Sequence, residues 1–118
     1  MINSGLGNPQ PHYYICIMQP QTVYKTPNEI ITYNIDLSTF TSEPATNVLN
    51  TFIYDFESEL TTTDLTIDNI VIGGSGNQVL VTISGGLDKH LYLVLLQLRL
   101  SNGNIIEPQF FIVVDTDM

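Results

Sequence analysis

Basic residues are almost missing from this chain: Lys25, Lys89 and Arg99 stand against twelve acidic residues, for a formal charge of -9 and a pI near 4.1. That scarcity all but excludes direct nucleic-acid binding, which needs clustered Lys and Arg to neutralise phosphates, and a polyanion is repelled over at least a Debye length. Anionic membrane surfaces are disfavoured on the same ground. Cysteine is limited to Cys16, so neither an intrachain disulfide nor a Cys-based zinc site can be assembled within one chain. The first residues lack the basic start and apolar run of a signal peptide. The longest apolar-rich stretch, residues 91–100, is interrupted by Gln97 and Arg99 and falls far short of the ~20 residues of a membrane helix. Together these absences describe a protein made and kept in a cytoplasm-like compartment.

Helical periodicity is missing as well, whereas alternation at period two recurs, so strands are expected throughout. The chain's 118 residues suit one domain with one core, and 43% apolar residues supply enough surface to bury. Residues 1–11, with three Asn or Gln, two Gly and two Pro, read as an extended arm. A first strand is expected at 13–18, bounded by Pro11 and Pro20 as suits an edge. The arm and this edge strand occupy residues 1–22, and the β domain residues 23–118.

Residues 29–37 alternate, with Ile31, Tyr33, Ile35 and Leu37 on one face. Residues 48–56 group Val48, Phe52, Tyr54 and Phe56 against Leu49, Thr51, Ile53 and Asp55, with the inward face undetermined. Leu65 and Ile67, then Ile70 and Ile72, change parity across Asp68-Asn69, which predicts a bulge. Val79, Val81 and Ile83 follow the turn segment 73–77, and residues 90–100 form the strongest strand. Asn102-Gly103 predicts a tight hairpin, with positive φ at both residues, leading into 105–114. Seven antiparallel strands without crossover helices predict an all-β, two-sheet sandwich of immunoglobulin-like type with an extended N-terminal arm.

Little in the chain suggests chemistry. His12 and His90 have no evident nucleophile partner and read as solvent-facing or turn-capping, and Cys16 between Ile15 and Ile17 reads as a buried small residue. The acids Asp55, Glu57, Glu59, Asp64 and Asp68 offer oxygen ligands for calcium, but without EF-hand spacing they read as a solvated edge. The glycine pairs 73–74 and 85–86 precede no helix and no Lys-Ser/Thr, so they are turns and not phosphate cradles. No cofactor and no metal is expected, and the chain does not read as an enzyme.

One feature does not suit a plain monomer. Within residues 90–100, Leu91, Leu93 and Leu95 face one way and Tyr92, Val94 and Leu96 the other. Two apolar faces need two partners: either the arm or a crossing loop covers the outer one, or another subunit does.

Several marks together resemble a known module: Lys25-Thr26-Pro27-Asn28-Glu29, Tyr33-Asn34-Ile35-Asp36-Leu37, Leu65-Thr66-Ile67-Asp68, Val81-Thr82-Ile83-Ser84-Gly85-Gly86 before a Tyr92-bearing strand, and Ser101-Asn102-Gly103-Asn104 with Glu107 and Phe111 after it. Residues 26–114 thereby resemble the short immunoglobulin-like module of virion proteins encoded beside capsid and tail genes of tailed phages. Leu87-Asp88-Lys89 replaces the Ala-Gly that usually follows Ser-Gly-Gly. The resemblance implies a virion structural protein, first a capsid decoration or cement protein on the outer shell, bound to the major capsid protein and to sister copies. A neck, tail or head-fibre subunit is the alternative. Asn3, Leu6, Pro9, Pro11, Tyr13 and Tyr14 of the arm, with Leu91, Leu93 and Leu95, are the expected partner contacts. A carbohydrate- or receptor-binding module is the competitor from another class, disfavoured by the absence of Trp.

Overall fold

Strict alternation builds the centre of the smaller of two sheets. In β6 (Gln78–Gly85), Val79, Val81 and Ile83 are fully buried while the residues between them are half-exposed. β2 (Ile31–Asp36) and β5 (Leu65–Gly73) flank it as antiparallel neighbours, setting Ile31, Tyr33 and Ile35 on one side, and Ile67, Ile70 and Ile72 on the other, beside the same three residues. The expected bulge is present: pairing with β6 shifts between Ile67 and Asn69, and this keeps both Ile67 and Ile70 facing inward.

The computed structural model describes residues 21–61 and 64–117. The strand expected at 13–18 and the arm before it, including Asn3, Leu6, Pro9, Pro11, Tyr13 and Tyr14, lie outside the described residues, as do His12 and Cys16. The described residues form an all-β architecture of two sheets with one short 3-10 turn, Leu37–Thr39. The larger sheet contains β1 (Thr22–Lys25), β3 (Ala45–Asp55), β4 (Leu60–Thr61), β7 (His90–Leu100), β8 (Ile105–Ile106) and β9 (Gln109–Val114). Its order is β1-β9-β7-β3-β4 with β8 also paired to β7, and the smaller sheet runs β2-β6-β5.

Tyr92, Val94, Leu96 and Leu98 of β7 and Ile112 and Val114 of β9 are fully buried against the smaller sheet. Each such side chain contributes roughly 1.5–3 kcal/mol over its exposed state. A part-buried hydrogen bond caps this core, with Leu87 N donating to the Tyr92 hydroxyl at 2.8 Å.

Several details depart from the sequence reading. The sheet is not wholly antiparallel, since β1 runs parallel to β9 with Thr22 opposite Phe111 and Lys25 opposite Val114. A parallel pair needs a long connection, and the whole intervening domain supplies it. In β3, a register shift between Val48 and Asn50 turns Val48 inward opposite Leu98, while Phe52 and Tyr54 lie on the outer face opposite Leu95 and Leu93. Val48 therefore does not share a face with the aromatics. In the last hairpin Gly103 alone takes positive φ, at 90°, with Gly103 N donating to Leu100 O at 2.9 Å and Leu100 N to Asn104 O at 2.8 Å. That is a three-residue loop closed by a left-handed glycine, not a two-residue turn.

The strand expected over 105–114 divides into β8 and β9 at Glu107-Pro108, yet its register against β7 continues from Leu98 opposite Ile106 to Leu95 opposite Gln109. Proline lacks the N–H that the ladder needs there, although Leu96 N still donates to Pro108 O at 3.0 Å.

Candidate partner interface

The two sheets turn unlike faces outward. On the smaller sheet several outward side chains are polar and bond among themselves, beside the apolar Val71. Thr32 and Thr82 share a hydroxyl hydrogen bond at 2.8 Å, and Thr66, Ser84 and Asp68 form a triangle in which the Ser84 hydroxyl donates to Asp68 Oδ1 at 3.0 Å. On the larger sheet the outward side chains are largely apolar, with Thr22 and Gln109 at the margin and Gln97 and Arg99 beyond them at one end of β7. Cross-strand register sets Tyr24, Val113 and Leu91 in one row, Phe111, Leu93 and Tyr54 in the next, and Leu95 beside Phe52 in a third.

Aromatic contacts tie these rows together. Tyr54 and Phe56 meet edge to face with centroids 5.0 Å apart, and Phe56 lies 6.0 Å from Phe111. Leu91, Leu93 and Leu95 are half-buried beneath them, whereas Tyr24 is 57% exposed, Phe52 50% and Phe56 38%. The three rows hold no charged side chain. A polar border closes one end, where Asn50 Nδ2 donates to Gln97 Oε1 and Gln97 Nε2 to Glu107 Oε2, each at 3.0 Å.

Leu91, Leu93 and Leu95 thus stand at the centre of an uncharged apolar face, as their alternation implied. Tyr24, Phe52, Tyr54, Phe56, Phe111 and Val113 complete that face and were not among the residues singled out. The grouping of Phe52, Tyr54 and Phe56 in the sequence carried the signal, but only the register of β3 against β7 shows which way they point.

Behind the face, the ionisable groups serve the fold. Asp55 is 1% exposed; burial opposes its ionisation, but hydrogen bonds from His90 and from Glu57 N outweigh this and hold its carboxyl below the usual range. With Asp55 ionised, His90 Nδ1 donates across 2.8 Å to Oδ2, and Glu57 N donates to Oδ1 at 2.9 Å. The sequence reading left His90 solvent-facing or turn-capping; it is instead a half-buried strut joining the start of β7 to the end of β3. Lys25 is 1% exposed, its ammonium donating to the carbonyls of Thr26 and Gly85, and burial lowers its pKa despite Glu29 nearby.

Lys89 takes φ 68°, a left-handed conformation that glycine adopts more readily, and forms surface ion pairs with Asp115 and Asp117 at 2.7 and 2.8 Å. Those hydrogen bonds raise the Lys89 pKa. The turn in which Leu87-Asp88-Lys89 replaces the usual Ala-Gly is therefore built with a residue other than glycine in the left-handed position. Among the described residues no group of three or more His, Cys, Asp or Glu side chains is arranged to hold a metal ion. The acids weighed for calcium serve separately, Asp55 inside against His90 and Asp68 on the outer face of the smaller sheet.

Comparison with protein families gives a match over residues 25–113 to the family Gp77, described as podophage GP4 fiber-tail adaptor protein gp77. The chain belongs to that family. The Gp77 match begins at the buried Lys25 and ends one residue short of the end of β9, so it takes in both sheets and the apolar face apart from Tyr24. No curated protein and no solved structure matches. Membership makes the chain a phage virion structural protein. It gives the expected capsid decoration role no support, and the tail or fibre alternative is the closer reading.

Proposed function

We propose that this chain is a non-enzymatic structural joint between tail and fibre in a phage particle, and that it docks a tail or fibre protein through the outer face of its larger sheet. Membership of the fiber-tail adaptor family over residues 25–113 carries the reading. The surface chemistry agrees with it. An uncharged centre rich in Phe, Tyr and Leu has the composition of a protein interface core, while the strongly acidic remainder favours a partner that is basic around an apolar patch. The arm residues Asn3, Leu6, Pro9, Pro11, Tyr13 and Tyr14 remain proposed contacts on composition alone.

An immunoglobulin-like fold accompanies this proposal. Two observations support it. The order β9-β7-β3 opposite β2-β6-β5 follows the G-F-C and B-E-D arrangement of that fold, and the Tyr92 hydroxyl accepting from Leu87 N has the geometry of its tyrosine corner.

The experiment is electron microscopy of particles assembled without this chain. They should keep intact shells and lose their fibres, and purified chain added back should restore fibre attachment. Fibres present on particles that lack the chain, or density for the chain spread over the shell, would overturn the proposal.

A further inference from the structure

We infer that the outer face of the larger sheet also binds a second copy of this chain, the two sheets packing face to face around Phe52, Phe56 and Leu93. The inference stands apart from the tail and fibre reading and rests on charge and area. Twelve acidic and three basic residues leave a charge of -9, so across most of the surface two copies would set like charge against like charge. The rows from Tyr24 to Phe52 hold no charge, and there close approach carries the least Coulomb cost. A second copy offers an equally uncharged, apolar and sheet-flat surface, and its acidic border makes the pair weaker than one with a partner that is basic around its patch.

The area is sufficient for a weak pair. Three rings about half-exposed, with the half-buried leucines between them, leave roughly 500 Å² per copy, or about 1,000 Å² in all, at the lower bound for a specific interface. Sheets packing about 10 Å apart with strands near 30° let the protruding Phe52 and Phe56 rings enter the grooves between the partner's strands. A two-fold axis lying in the interface makes each contact twice and closes the pair. Such a pair is sparsely populated in dilute solution and gains occupancy where assembly concentrates many copies.

Sedimentation velocity of the full chain, from about 5 µM to about 1 mM, tests this. Monomer at the lower end and dimer at the upper end is the expected result. Phe52→Lys should weaken the pair at least about tenfold without lowering the melting temperature, since Phe52 is half-exposed. Val71→Lys, at a residue 45% exposed on the outer face of the smaller sheet, should leave association unchanged. A chain that stays monomeric at every concentration overturns the inference; that result is expected if residues 1–20 already cover the face or if it is reserved for a tail or fibre protein. Association that survives Phe52→Lys, or that Val71→Lys weakens equally, overturns it too.

Discussion

Among single residues, Gly86 and Gly103 separate crowding from backbone strain. Both take positive φ, at 98° and 90°, but a Cβ on Gly86 would lie 2.7 Å from Val114 Cγ2 and 3.1 Å from Leu65 Cδ1, whereas one on Gly103 meets nothing within 4 Å. Gly103→Ala should cost about 1 kcal/mol, the left-handed penalty alone, and Gly86→Ala about 2–4 kcal/mol once overpacking is added. Urea unfolding of the two variants checks the difference, and equal losses would mean that Leu65 and Val114 yield freely. Asp55 offers a second test. Its folded pKa is depressed, so its contribution is complete above the unfolded value near 4 and is lost as pH falls through the folded one. Asp55→Ala should cost about 3 kcal/mol at pH 7 by leaving His90 and Glu57 N unpaired behind the sheet. Asp55→Asn should cost less and flatten the fall in stability below pH 4. An unchanged acid limb in Asp55→Asn would assign that limb to Asp36 and Asp115, whose carboxyls are also held low by hydrogen bonds.

At the scale of strands, what was legible depended on whether a polar residue marked the change of parity. Asp68-Asn69 between the Leu65/Ile67 and Ile70/Ile72 pairs announced the bulge of β5, and β7 was readable to its ends because its apolar run is bounded by Lys89 and Ser101. Val48-Leu49 are both apolar, so nothing in the sequence marked the bulge of β3, and the outward aromatics stayed hidden behind that ambiguity. The pairing of Asp55 with His90 spans 35 residues of sequence and is visible only once β3 and β7 are in register. β1 escaped notice because four residues make too short a pattern and its parallel partner lies at the other end of the domain. The bulge yields a prediction: deleting Asp68 restores strict alternation from Ile67 through Asn69 to Ile70, so Ile67, Ile70 and Ile72 still face inward. The variant should fold with a loss of about 1 kcal/mol, reflecting the Thr66 and Ser84 hydrogen bonds to Asp68. Inserting one residue after Val81 should unfold the domain, because Ile83 would turn to solvent. Circular dichroism melts of the two variants distinguish them, and an unfolded deletion variant would show that the bend itself holds the sheets together.

For the whole molecule, charge and the uncharged face oppose each other, and pH sets which prevails. At pH 7 a charge of -9 keeps copies apart, and that repulsion vanishes as pH approaches the pI near 4.1. The carboxylates that stabilise the fold behave differently: Asp36, Asp55 and Asp115 all have depressed pKa values, so their contribution persists down to about pH 4 and is lost below it. Between roughly pH 6 and pH 4 the chain should therefore lose its repulsion while keeping its fold, and association through the outer face should rise over that interval. Light scattering should increase there while near-ultraviolet dichroism stays constant, and Phe52→Lys, which both interrupts the face and raises the pI, should shift the rise to higher pH and reduce its size. If scattering and loss of dichroism instead appear together, the associating species is an unfolded one. The native face would then have no part in it, and the acidity of the chain would serve partner choice alone.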